Sequence, residues 1–242
     1  MKSCNLGIIG CGNMAQAVIE SIFAGGMSEY EKKNCVKLSV RVSDTDEGKL
    51  AAAAEKFKGL EVSPSNADTV KNSDFVLLAV KPQVYAQALC GIDFADKTVI
   101  SIMAGVPISK LQENLGAKRV VRVMPNLNAR ILQSYNAYCV SGLDETQEAF
   151  VFALLSSFGL AIKTPESRIN AVTGITGSGP AFVFMFFKAF VEVAQSYGFS
   201  RGEALQAAES VIASSAHNLA VDPSVDIDKM VESVCSKGGT TI

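Results

Sequence analysis

Apolar residues in the first two-thirds of the chain gather in short runs with little polar interruption: LGIIG (6–10), LSVRVS (38–43), FVLLAV (75–80), TVISIM (98–103) and VVRVM (120–124). Runs this short, rich in Val and Ile and mostly apolar at successive positions, predict strands of a parallel sheet covered on both faces. Between them lie helix-like segments, NMAQAVIESIFAGG (13–26), EGKLAAAAEKF (47–57) and PISKLQENL (107–115). NAYCVS (136–141) and LAIKT (160–164) predict two further strands around the helix ETQEAFVFALLSSF. Alternation of strand and helix implies a doubly wound α/β arrangement. Beyond residue 164 the strand signals stop, and helices are expected over 179–197, 200–220 and about 226–235. The expected fold is therefore α/β, a Rossmann-type, mostly parallel sheet in residues 1–164 followed by an all-α domain in residues 165–242, with the boundary at Thr164-Pro165.

The most apolar stretch, PAFVFMFFKAF, stands directly behind Gly174-Ile175-Thr176-Gly177-Ser178-Gly179. From Pro180 to Ala194 it runs 15 residues and carries Lys188 and Glu192, whereas a membrane span needs about 20 apolar residues. Lys188 and Glu192 are four apart, the spacing of neighbours on a helix surface. The reading is a helix buried on most of its circumference in a protein that does not enter a membrane. Composition agrees: 48 % of residues are hydrophobic, more than a core of this size uses, and such surplus marks a subunit interface.

Net charge is −2 and no long basic cluster exists, which argues against nucleic acid as a partner. Six scattered cysteines without a CxxC pair and a single histidine, His217, leave no constellation for a transition metal and point to a reduced, cytoplasmic protein. The short apolar start, broken by Gly10 and Gly12, does not read as a signal peptide.

Gly10-Cys11-Gly12-Asn13-Met14-Ala15 follows the first strand and opens a helix. This is the G-x-G-x-x-G/A arrangement of a dinucleotide site. Its first glycine makes the tight turn, its second admits a pyrophosphate to the backbone, and its small last residue packs helix on strand. The helix start adds unpaired N–H groups and a partial positive charge. Cofactor choice is read after the second strand, at Val42-Ser43-Asp44-Thr45-Asp46. An acid there accepts hydrogen bonds from the ribose of NADH and repels the 2′-phosphate of NADPH, so Asp44 or Asp46 leans toward NADH. Two alternatives stay open: Asp46 as the cap of the helix starting near Glu47, and Arg41, Ser43 and Thr45 as partners for a phosphate.

Together IIGCGNMA (8–15), LAVKPQ (78–83), SIMAGV (101–106), RVMPN (122–126), AVTGITGSGPAFVF (171–184) and SKGGTTI (236–242) resemble pyrroline-5-carboxylate reductase, the last enzyme of proline synthesis. The resemblance covers nearly the whole chain, and the order MPN, GSGPAF, GGTT is more specific than the glycine turn. It implies reduction of the cyclic imine 1-pyrroline-5-carboxylate to L-proline with NADPH or NADH. By position it implies that Ile9, Gly10, Cys11, Gly12, Asn13 and Met14 hold the pyrophosphate, that Asn66, Ala79, Val80, Lys81 and Pro82 line the groove, and that Ala104 and Asn126 lie near the nicotinamide. Ser178 and Gly179, with Gly238, Gly239, Thr240 and Thr241, would form the substrate pocket, Thr241 bonding the substrate directly. The family works as an intertwined homodimer whose helical domains pack together, with the active site between one subunit's cofactor domain and helices from both. The glycines of GITGSGP would then let backbone approach a small ligand, and Pro180 suits the first turn of a helix.

The chemistry asked of such a site is modest. An imine basic enough to bind as iminium needs a hydride at carbon and no strong general acid, so the protein chiefly positions the reactants. The consecutive amides of Gly238–Thr241 suit a carboxylate. Thr241 is a candidate to orient the ring nitrogen or carboxylate, and Lys81 to supply charge at the cofactor, or else to be a solvated loop residue. The chain departs from the family pattern at Leu127-Asn128, where Thr-Pro is usual, and at Lys237, where Pro is usual. The family also continues into another helix beyond Ile242. Two other readings are a related reductase of a different small imine or carbonyl, and a dinucleotide-binding paralogue without turnover.

Overall fold

The structure, a computed structural model, describes residues 2–222 and 224–235. Eight strands form one sheet: β1 (Lys2–Ile9), β2 (Val36–Ser43), β3 (Glu61–Val62), β4 (Phe75–Leu78), β5 (Thr98–Ser101), β6 (Arg119–Met124), β7 (Ser134–Ser141) and β8 (Gly159–Lys163), in the spatial order β3-β2-β1-β4-β5-β6-β7-β8. All neighbouring pairs are parallel except β6 and β7. Strand order turns back between β1 and β4, which makes a crevice at their carboxyl ends, where sheets of this type bind ligands.

Between the strands run α1 (Asn13–Ser21), α2 (Ser28–Asn34), α3 (Glu47–Lys56), α4 (Asn66–Lys71), α5 (Tyr85–Ala88), α6 (Ile108–Leu115) and α7 (Glu145–Ser156), and α8 (Glu166–Val172) follows β8. Successive apolar side chains of one strand enter opposite cores. Leu6, Ile8, Phe75, Leu77, Val121 and Val123 pack with Val18, Ile19 and Leu154. Ile9, Val76, Leu78 and Val120 pack with Leu111, Leu115 and Ile169 on the other face. Period-2 geometry sends alternate residues to the two faces, so both must be apolar. The uninterrupted runs in the sequence follow from this. α7 starts with a reciprocal cap between Asp144 and Gln147, and its wholly buried Phe150 stacks on Phe75 at 3.8 Å between centroids.

The chain divides into two compact units, Met1–Pro180 and Ala181–Ile242. α9 (Gly179–Ser196) starts in the first and continues through the second, which also holds α10 (Arg201–Val221) and α11 (Ile227–Val234). Within the second unit a small core forms from Val191, Ala204 and Ala208 with Phe187, Phe190 and Ala194 around them. α10 begins with Ser200 and Glu203 capping each other's backbone N–H groups. Most of α9 is uncovered: Phe182, Phe184, Met185 and Phe186 are each more than half exposed. Helical backbone is continuous from Glu166 to Ser196 and, by length and composition alone, is apolar enough to cross a membrane. The expectation of a helix buried on most of its circumference is thus not met within one chain.

Phe150→Ala removes a fully buried ring and should cost about 3–5 kcal/mol of stability. Urea unfolding followed by circular dichroism checks this, as a shift of the midpoint to lower denaturant.

Candidate active site

β1 ends at Ile9, and the chain turns through Gly10, whose φ of +98° lies in the left-handed region. A Cβ there would lie 2.6 Å from the Ala79 carbonyl oxygen, so the position is closed to side chains on both grounds. The turn is stitched to its neighbours: Gly10 N–H donates to the Ser43 carbonyl (2.8 Å) and Ala79 N–H to the Ile9 carbonyl (2.8 Å). Cys11 N–H donates to the Asp44 carboxylate at 2.6 Å, and the other oxygen of Asp44 accepts from Asp46 N–H at 2.9 Å. Gly12 is the N-cap of α1 and has no side-chain bond at that helix start. Nothing lies within 4 Å of a Cβ built on Gly12. The result is an open cradle above a helix start with free N–H groups, the arrangement that receives a pyrophosphate.

The cradle faces a cavity of about 300 Å³. Of the residues singled out in the sequence, Ile9, Gly10, Gly12, Asp44, Asn66, Ala79, Val80 and Lys81 line it. A second cavity of about 680 Å³ continues past Ser43, Asp44, Thr45 and Asn66. Cys11 is fully buried beneath the turn, and its thiol is pushed up from its usual range by burial and then by the Asp44 carboxylate. It is therefore a packing residue rather than a nucleophile. Asn13 is exposed at the start of α1, Met14 half-buried against the core, Pro82 half-buried, and Ala104 exposed just past β5.

The two acids after β2 separate in role. Asp46 caps α3, accepting from Lys49 N–H at 3.1 Å, and pairs with the Lys49 ammonium at 3.1 Å. Its carboxyl is lowered chiefly by that backbone bond. Asp44 is the acid left facing the groove. Of the candidates for a phosphate partner, Arg41 pairs with Glu61 at 2.8 Å and the Ser43 hydroxyl donates to Asn66 at 2.8 Å, while Thr45 faces the groove. Lys49 also lines the groove. Its place was hidden in the sequence because only the packing of α3 brings it round.

At the second turn singled out in the sequence, α8 passes into a wide π-type turn, Thr173–Gly177. Ser178 ends this turn: its N–H and its hydroxyl both bond to the Thr173 carbonyl, at 3.0 and 3.3 Å, so the hydroxyl does not cap α9. Asn126 follows β6 and is buried. Its amide nitrogen donates to the Thr176 carbonyl at 3.1 Å, and its amide oxygen accepts from Asn128 N–H at 3.1 Å. The GITGSG turn is thereby held at the same carboxyl edge of the sheet as the glycine turn. Gly238, Gly239, Thr240 and Thr241, with Lys237, lie outside the described residues. Among the described residues no three His, Cys, Asp or Glu side chains gather as a metal group.

The strand order, the glycine turn and the acid after β2 define a nicotinamide-dinucleotide oxidoreductase. Two family models match the chain: NADP oxidoreductase, coenzyme F420-dependent, over residues 5–105, and pyrroline-5-carboxylate reductase dimerisation over residues 166–242. The chain is 35 % identical to pyrroline-5-carboxylate reductase of Methanosarcina acetivorans, covering all of this chain and 88 % of that one. It is 36 % identical to the enzyme of Aquifex aeolicus over 98 % of this chain and 86 % of that one. Among solved structures, that of 1-pyrroline-5-carboxylate reductase from Streptococcus pyogenes superposes with a TM-score of 0.87 at 28 % identity, over 99 % of this chain and 88 % of that one. The chain belongs to the pyrroline-5-carboxylate reductase family.

Gly12→Val and Gly10→Ala should fail in opposite ways. The first projects into open space, so stability stays and NAD(P)H affinity drops roughly a hundredfold as the pyrophosphate is displaced. The second strains backbone against Ala79 and lowers stability by about 1–3 kcal/mol. Isothermal titration and thermal melting on both variants separate the two.

Proposed function

We infer that this protein reduces 1-pyrroline-5-carboxylate to L-proline with a nicotinamide cofactor, as a cytoplasmic homodimer. The observation that supports the reading is the bond from Asn126 to Thr176, because it ties the GITGSG turn to the carboxyl edge of the sheet, the edge on which the dinucleotide cradle also lies. The working division of the chain is a dinucleotide domain in residues 1–164 and a helical domain for substrate binding and dimerisation in 165–242. The start of the dimerisation match at residue 166 supports this.

When bound, the nicotinamide supplies the hydride that the imine carbon accepts. The protein's part is placement. Gly10 to Met14 offer backbone N–H groups and an open surface to the pyrophosphate, with Asn66, Ala79, Val80, Lys81 and Pro82 along the groove. The Asp44 carboxylate would accept hydrogen bonds from the ribose hydroxyls and repel a 2′-phosphate, which favours NADH over NADPH. Ala104 and Asn126 bound the nicotinamide end. Ser178 and Gly179, with the amides of Gly238 to Thr241 and the Thr241 hydroxyl, hold the substrate carboxylate and ring. The substrate enters as its iminium ion, so the nitrogen already carries the proton that the product amine keeps. Lys81, exposed at the rim of the groove, adds positive charge beside the cofactor.

The exposed Phe182, Phe184, Met185 and Phe186 of α9 are the surface a second copy covers. Contiguous apolar area of this kind is typical of a permanent interface. In this reading the long apolar run of Glu166–Ser196 is buried by protein, not by lipid.

Purified protein with pyrroline-5-carboxylate should oxidise NADH or NADPH, read as loss of near-ultraviolet absorbance, with proline as product. Folded protein that binds the dinucleotide but leaves it unoxidised would overturn the reading. Light scattering should give twice the 25.6 kDa chain mass, and Met185→Glu with Phe186→Asp should shift it toward the monomer by burying charge at the interface.

A further inference from the structure

Arg122 is an anomaly in an apolar strand: it is 3 % exposed in the middle of β6, where a charge is costly unless paired. Its guanidinium reaches Glu166 at 3.2 Å and donates to the Asn170 side-chain oxygen at 2.8 Å. Glu166 and Asn170 are four apart on α8, hence on one face. Two residues along β6 on the same face is Met124, and a Cβ on Gly177 would lie 2.8 Å from its methyl carbon. Two further on is Asn126, bonded to Thr176. Residues 122 and 124 of β6, and 126 just beyond it, therefore meet α8 and its π-type turn at successive levels. The lengths agree: four strand residues rise about 13 Å, and ten helical residues about 15 Å.

Glu166 makes a second connection. The oxygen that meets Arg122 also accepts Ile108 N–H at 2.8 Å. Ile108 opens α6, whose N-cap Pro107 has no side-chain bond to offer. Glu166 thus satisfies an orphan helix-start donor and anchors the segment Ala104–Pro107 that follows β5. One buried cation and one carboxylate fasten from beneath both the turn expected at the nicotinamide and the turn expected at the substrate.

We propose that Arg122, Glu166 and Asn170 are positioning residues that set the distance between the Ala104–Pro107 segment and the Gly174–Gly179 turn. They touch neither reactant. They determine how well the hydride donor and the imine carbon face each other, and such placement is where a reductase with no strong general acid gains its rate. The inference rests on the function proposed above for the kinetic part of its test and is independent of it for the structural part.

Asn170 is exposed, so Asn170→Ala should fold, and Asn170→Asp restores an acceptor to Arg122. Amide hydrogen exchange of residues 173–179 should quicken about tenfold or more in Asn170→Ala, because α8 loses one of its ties to β6 and the turn beyond it is left held by Asn126 alone. In Glu166→Gln, which weakens the pair while keeping an acceptor, exchange should quicken in 104–108 as well as 173–179. KM for pyrroline-5-carboxylate should rise roughly tenfold in Asn170→Ala, the loss of one hydrogen bond to a charged group, with NAD(P)H binding unchanged. Asn170→Asp should return KM to within about twofold of wild type. A lower melting temperature in Asn170→Ala with exchange and KM as in wild type would overturn the proposal, leaving the network purely structural. Lack of turnover in the wild type itself would remove the proposed function, and the exchange comparison would still decide this inference.

Discussion

Strands buried on both faces leave a protein little freedom in where to put chemistry. Side chains of β1, β4, β5 and β6 are consumed by the two cores, and their backbone groups by the ladder. What remains are the strand ends. At the carboxyl ends helix starts supply unpaired N–H groups, and between β1 and β4 the reversal of strand order opens a crevice there. The hydrogen bond from Cys11 N–H to Asp44 turns this general provision into a defined cradle, since it locks the glycine turn to the end of β2. Gly10 is forced by backbone contact with Ala79, and Gly12 is left empty for a ligand.

A second turn must be brought to that edge from elsewhere in the chain, and Arg122 in β6 and Asn126 just past it do this. Both sit where apolar residues would cost less, and each donates a side-chain hydrogen bond to α8 or the turn beyond it. Removing a partner from a buried charge costs more than the pair itself is worth. The network is therefore better understood as a device for register than as a source of stability.

The parallel strands could be read from sequence because double burial demands uninterrupted apolar runs, and α9, α10 and α11 because the strand signals stop beyond residue 164. Other elements carried no such mark. α8 is a single-sided helix of seven residues with only Ile169 buried, too little apolar pattern to separate it from loop. β3 has two residues, and the antiparallel sense of β7 depends on a connection through Leu127–Ile131 rather than on β7 itself. Either Asp44 or Asp46 could serve the ribose as far as the sequence went, with Asp46 also open as a helix cap; the bond from Lys49 N–H to Asp46 decides between them. The apolar excess was visible from composition and pointed to a subunit interface, but which side chains of α9 the chain itself leaves uncovered was not.

The central claim is that the glycine turn after β1 and the GITGSG turn beyond α8 form one site. A crystal structure of the protein with NADH and L-proline tests it most directly. The account predicts the pyrophosphate over Gly12 and the proline carboxylate within hydrogen-bond reach of Ser178 and Gly179, on the side of Asn126. A dinucleotide seated away from Gly12, or proline bound apart from the Ser178 turn, would contradict it.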